Sequence, residues 1–232
     1  MSFEVKPGYT MGDMIPLVQK LRDPESGCPW DAEQNHQTIR NDLLEEAYEV
    51  ADAIDRTDDT DLLEELGDLL FQVVFHAELA RERGQFNLDD VANGVIEKMV
   101  LRHPHVFGEV EAKTSEKVLE NWDAIKRVEK KQAGLYDELC AVPRAFPALM
   151  RGQKLMKRAT RAGELPADPQ QAADAMVQAF RAYSANPADS AALGNLLLAI
   201  TRMSHLAGTS AEEALELSCN QFTENYRPKE DK

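Results

Sequence analysis

Apolar positions recur along this chain at three- and four-residue steps almost throughout. Ile39, Leu43, Ala47, Val50 and Ile54 form one such series; Leu62, Leu66, Leu69, Val73, Ala77 and Ala80 form another. Each traces a single stripe at a 3.6-residue period, which predicts an amphipathic helix. Between the two series lies Thr57-Asp58-Asp59-Thr60, a run of helix-capping residues suited to end one helix and start the next. The pattern therefore predicts a long helical hairpin over 38–57 and 59–83. Further helices are expected over about 11–22, 88–101, 115–131, 146–161, 170–184, 188–206 and 211–225. The segments 27–31 (GCPWD) and 103–108 (HPHVFG) break the period and read as loops. No segment alternates as a half-buried strand would, so the expected class is all-α.

Composition narrows the function. The 232 residues include 26 Lys plus Arg against 41 Asp plus Glu, a formal net charge of −15. That balance argues against a nucleic-acid binder, which needs a basic footprint, and against docking on anionic lipid. No apolar run approaches the ~20 residues of a membrane-spanning helix. The start, MSFEVKPGYT, shows no basic stretch followed by an apolar one, so no secretory leader is expected and the cytoplasm is the default. Cys28, Cys140 and Cys219 are isolated, with neither disulfide nor zinc spacing; Cys28 reads as an inert thiol.

The acidity is concentrated. Residues 42–68 carry 12 acids and one base, Arg56. On the first hairpin helix, Glu46 and Glu49 are three apart and share a face; on the second, Glu65 and Asp68 do the same. Each pair lies about 9.5 residues from the turn, or ~14 Å along its helix. In an antiparallel hairpin the two pairs arrive at one level, bordering the apolar stripes, so all four carboxylates can face one groove. Such a cluster is costly alone: two carboxylates about 4 Å apart repel by about 4 kcal/mol at an effective dielectric of about 20. Protons or cations must offset this. Oxygen-only ligands favour a hard cation, Mg²⁺ or Mn²⁺. A di-iron bundle would want Glu-x-x-His pairs on facing helices, and that spacing occurs only at Glu33–His36, outside the hairpin. A solvated helix face is the simpler alternative; the mirror placement and the helix-breaking Gly67, which invites close approach of a backbone or ligand, weigh against it.

These residues resemble a known family. The pattern Glu45-Glu46-x-x-Glu49 followed by Glu65-x-x-Asp68 looks like the metal-binding signature of the all-α nucleoside triphosphate pyrophosphohydrolases. LRDPESGCPWDAEQ (21–34), LLEEAYEVADAI (43–54), EELGDLLFQVVFHA (64–77) and RHPHVFGE (102–109) are similar to the MazG branch, in MazG order. The resemblance is strong over about 1–131. It implies hydrolysis of a nucleoside triphosphate by water attack at the α-phosphorus, giving a nucleoside monophosphate and pyrophosphate. On that reading Glu46, Glu49, Glu65 and Asp68 ligate Mg²⁺, Mn²⁺ being able to substitute, and Glu45 orients or deprotonates the water. Lys98 and Arg102, four apart, sit where MazG proteins hold the triphosphate. Trp122, with Lys126 one turn on, resembles a position near the nucleotide, where an indole could stack on a base; a core tryptophan is the alternative. Trp30 reads as a packing anchor, and His103 and His105 as loop-capping groups.

The chain also repeats itself weakly. Residues 65–70 (ELGDLL) recur as 192–197 (ALGNLL), and 15–21 (IPLVQKL) echo 149–155 (LMRGQKL). MazG proteins are similar in having two repeats. Here the second is stripped: Ala192 and Asn195 stand at the ligand positions, 178–182 (QAFRA) holds no acid, and Gln221 and Asn225 replace the cations. The expected organisation is a catalytic repeat over 1–134 and a degenerate, structural one over 135–232. Hairpins of this kind bury little surface alone, so bundles completed by a homodimer are expected. The rival readings are a non-catalytic helical module binding a nucleotide or partner, and a divalent-cation binder without chemistry.

Overall fold

The structure is a computed structural model that describes residues 3–129 and 134–228. Among the described residues every regular element is helical. The chain divides into two compact units, Met1–Ile125 and Lys126–Lys232.

The first unit opens with a 3-10 turn at Met11–Asp13 and continues into α1 (Met14–Leu21), α2 (Pro29–Glu33), α3 (Arg40–Arg56), α4 (Asp59–Glu82), α5 (Leu88–Arg102) and α6 (Pro104–Phe107). Helix α7 (Ser115–Glu129) runs across the division between the units. The sequence extends it to 131; residues 130–131 lie outside the described ones. The α3–α4 hairpin forms where capping residues predict it. Thr57 takes a left-handed conformation (φ 56°, ψ 41°) and ends α3. Asp58 then caps α4, accepting from the backbone N–H of Thr60 and Asp61. Arg56 ties the corner by pairing with Asp52 and Asp61, both at 2.7 Å.

The core gathers Val18, Ile39, Val74, Phe75 and Leu79, with Met14, Ile15, Leu70, Phe71 and Leu88 packed against it. It sits at the end of the hairpin remote from the turn. Burial of the α4 stripe fades toward the turn, where Leu66 is 48% exposed and Leu63, beside the stripe, is 77% exposed. The carboxylates stand outside this core, nearer the turn, with Glu46 and Glu65 half-buried and Glu49 and Asp68 exposed.

The second unit contains α8 (Leu135–Cys140), α9 (Ala148–Arg161), α10 (Pro169–Ala185), α11 (Ser190–Ala207) and α12 (Ala211–Glu224). Helices α10 and α11 form a second hairpin, with Asp168 and Asp189 as N-caps. Helix α9 packs on α11 at Gly152, where an added Cβ would meet the Thr201 side chain at 3.1 Å. Gln153 fixes the start of α12, donating to the Thr209 carbonyl (2.6 Å) and accepting from the Ala211 N–H (2.9 Å).

Short helices α2, α6 and α8 replace stretches that read as loops or carried no prediction. Trp30 corrects another expectation. It lies at the start of α2 and is 58% exposed, so it anchors nothing in this chain. Packing in that segment falls to the buried Asp31 and to Arg22, whose guanidinium reaches the carbonyls of Asp31 and Gln34. Gly27 is the glycine that sterics require there: a Cβ would lie 2.3 Å from the Leu21 carbonyl oxygen. At Gly67, by contrast, nothing lies within 4 Å, so no backbone of this chain explains it.

Candidate metal and nucleotide site

Helix α3 brings Glu46 and Glu49 to one face, and α4 brings Glu65 opposite them. One carboxylate oxygen from each lies within 4.8 Å of the other two. Glu46 and Glu65 are half-buried and Glu49 is exposed. Asp68, one turn beyond Glu65, is exposed and stands outside that triplet. It still belongs to the same electrostatic group. Glu46 is held above the usual carboxylate range first by burial, then by the charges of Asp68, Glu49, Glu65 and Glu45. Glu65 is raised in the same way, by lost hydration and then by Glu49, Asp68, Glu64 and Asp61. Among the described residues no ion pair relieves Glu46, Glu49 or Glu65; Arg56, the base within this acidic run, is occupied at the turn. An oxygen-only cluster with unrelieved negative charge fits a hard divalent cation. Glu45 is exposed on α3 beside Tyr48 and Glu49.

The cations and the tryptophan form a second group. Lys98 is half-buried in α5. Arg102, at the end of α5, is only 6% exposed, and its guanidinium lies 5.2 Å from the centre of the Trp122 ring. This differs from an open phosphate-facing side chain: one partner of Arg102 is an indole, a cation–π contact. Lys126 follows Trp122 by one turn of α7 and is half-buried.

His103 caps, as expected, while His105 lies within α6 and caps neither end; its Nδ1 is buried without a partner among the described residues. His103 does more. Its Nδ1 lies 2.6 Å from the Met99 carbonyl, and its ring meets Trp122 edge-on, centroids 5.0 Å apart at 78°. A further pairing was invisible in the sequence. His36, in the segment before α3, and His76, on α4, stack at 5.1 Å and form a hydrogen bond between Nδ1 atoms 2.8 Å apart. Burial, then His36, lowers the His76 pKa. Their forty-residue separation left no local signal.

Comparison with known proteins matches the chain to one family. The MazG nucleotide pyrophosphohydrolase domain matches residues 34–107, which include the carboxylates, Lys98 and Arg102. The chain is 40% identical to the nucleoside triphosphate pyrophosphohydrolase of Escherichia coli K12, over 92% of this chain and 84% of that protein. It is 33% identical to the nucleoside triphosphate pyrophosphohydrolase/pyrophosphatase MazG of Thermotoga maritima, over 97% of this chain and 87% of that protein. The nucleoside triphosphate pyrophosphohydrolase of Mycobacterium tuberculosis is 40% identical over 69% of this chain and 47% of its own length. With relatives at this identity over most of both lengths, and with paired acids on an α-helical hairpin, the chain belongs to the MazG family of nucleotide pyrophosphohydrolases.

Proposed function

We propose that this protein is a divalent-metal-dependent nucleoside triphosphate pyrophosphohydrolase whose active site lies on the α3–α4 hairpin. The observation that carries the reading is the meeting of Glu46, Glu49 and Glu65 within 4.8 Å, with Asp68 adding its charge. These four carboxylates would hold Mg²⁺, or Mn²⁺ in its place. The bound cation would neutralise the triphosphate and polarise the α-phosphoryl group for in-line displacement. Glu45 orients the attacking water and takes its proton. Water oxygen bonds to the α-phosphorus as the bond to the α–β bridging oxygen breaks. Nucleoside monophosphate and pyrophosphate leave. Lys98 and Arg102 meet the distal phosphates, and Trp122, with Lys126 one turn on, receives the nucleotide. The exposed apolar residues near the turn, Ile54, Leu63 and Leu66, support a homodimer in which a second copy covers them. The second unit, lacking acids at Ala192 and Asn195, is read as a degenerate MazG-like repeat with a structural role. A cytoplasmic location agrees with a nucleotide substrate.

The test is turnover of nucleoside triphosphates with Mg²⁺, scored separately for pyrophosphate and orthophosphate. Pyrophosphate with monophosphate is expected. Orthophosphate with diphosphate would point to attack at the γ-phosphorus, and no metal-dependent product would favour a non-catalytic binding module.

A further inference from the structure

The corner between α5 and α6 does more than change direction. Pro104 follows His103 and begins α6, so His103 serves both helix ends, as C-cap of α5 and N-cap of α6. The Met99 carbonyl belongs to the last turn of α5, where helical acceptors run out. A carbonyl only accepts, so the 2.6 Å contact makes Nδ1 of His103 the protonated donor and fixes the ring plane. That plane stands at 78° to the Trp122 indole, 5.0 Å between centroids, an edge-to-face geometry that aromatic pairs favour. Arg102, the adjacent residue, holds the same indole at 5.2 Å. The last residue of α5 and its C-cap thus clasp one ring of α7. Behind them His105 tilts against His103 at 5.6 Å, and its Nδ1 is buried without a partner among the described residues.

We propose that His103 is a positioning residue for substrate: tethered to Met99, it sets the Trp122 indole and, through it, the Arg102 guanidinium, before the nucleotide arrives. This rests on the reading that Trp122 and Arg102 bind the nucleoside triphosphate. His103 itself touches no reacting atom. Its contribution is uniform binding, so its loss raises KM and spares kcat.

Two substitutions separate the ring from the tether. His103→Phe keeps an aromatic edge against Trp122 and loses the donor to Met99; His103→Asn keeps a donor and loses the ring. In the full chain, His103→Ala and His103→Asn are expected to raise KM by about three- to tenfold, the scale of one aromatic pair, with kcat within about twofold of the parent. His103→Phe, which keeps the ring without the tether, is expected to recover part of the loss. The same variants in a Trp30→Phe background, where Trp122 is the remaining tryptophan, should show its emission shifted to longer wavelength in Ala and Asn and restored in Phe. Should His103→Ala fail to fold, the Phe–Asn pair carries the comparison. Parent-like KM and parent-like Trp122 emission in His103→Asn would overturn the positioning role alone. No turnover by the parent chain would instead overturn the pyrophosphohydrolase reading, and the substrate role of His103 with it.

Discussion

The two hairpins of this chain are built alike and charged differently. Asp58 caps α4 by accepting from two backbone N–H groups, and Asp189 caps α11 in the same way. Val18 and Val74 lie in the core of the first unit, and their counterparts in the repeat, Gly152 and Thr201, meet at the α9–α11 crossing. Glu65 and Asp68, however, are answered by Ala192 and Asn195. The second hairpin forms without the acids, so the acids are not what makes a hairpin. In the first unit lost hydration, and then the neighbouring carboxylates, raise the pKa of Glu46 and Glu65, a cost that the fold itself does not repay. Protons or a cation must offset it, which supports the proposed metal site on this hairpin.

The largest expected effect comes from removing that charge. Glu46→Gln or Asp68→Asn should lower Mg²⁺-dependent turnover by on the order of 10²–10³-fold, the several kcal/mol that metal electrostatics supply. Helical circular dichroism should be unchanged, and the thermal midpoint in EDTA should stay or rise because repulsion is relieved. Near-parent turnover in both variants would break the metal assignment. In the second unit, Ala192→Glu with Asn195→Asp should create no metal-dependent stabilisation, since 178–182 offers no acid from α10. A Mg²⁺-dependent rise in midpoint assigned to those two substitutions would blur the contrast between hairpins.

A smaller effect concerns pH. The raised carboxyls bind protons more tightly in the folded chain than in the unfolded one. Their contribution is therefore fully present below the ordinary glutamate value of 4.5 and is lost as pH rises through the raised values. Metal-free midpoints should fall over that window relative to Glu46→Gln, and Mg²⁺ should remove the difference. Parallel profiles for parent and variant in EDTA would show that the cluster carries no such strain.

The smallest effect uses the paired glycines. Gly67 and Gly194 occupy the same repeat position, and an added Cβ at either meets nothing within 4 Å. Each Gly→Ala change should stabilise the metal-free chain by about 1 kcal/mol, the helix-propensity difference, as read by chemical denaturation. A gain at Gly194 with none at Gly67 would show that the first hairpin keeps that space for a ligand or a second copy.

The hairpin and its carboxylates were legible because their information is local. Period, the Thr57–Asp58 corner and three-residue acid spacing each span few residues, and the structure places Glu46, Glu49 and Glu65 together as that spacing predicts. Helices α2, α6 and α8 have four to six residues, too few to show a period. Trp30 looked like an anchor because large aromatics usually bury, yet only the neighbouring Asp31 turns inward. The His36–His76 stack and the Arg102–Trp122–His103 clasp depend on chain segments brought together in space, so sequence placed Arg102 and Trp122 only by resemblance and read His103 as a cap.

The central claim is that one site, on the first hairpin, binds metal and nucleotide. Calorimetric titration of the full chain with a non-hydrolysable nucleoside triphosphate in Mg²⁺ tests it most directly, run on the parent and on Glu46→Gln with Glu65→Gln. One nucleotide per chain is expected in the parent and no saturable binding in the double variant. Two nucleotides per chain, or binding that survives loss of both glutamates, would contradict it.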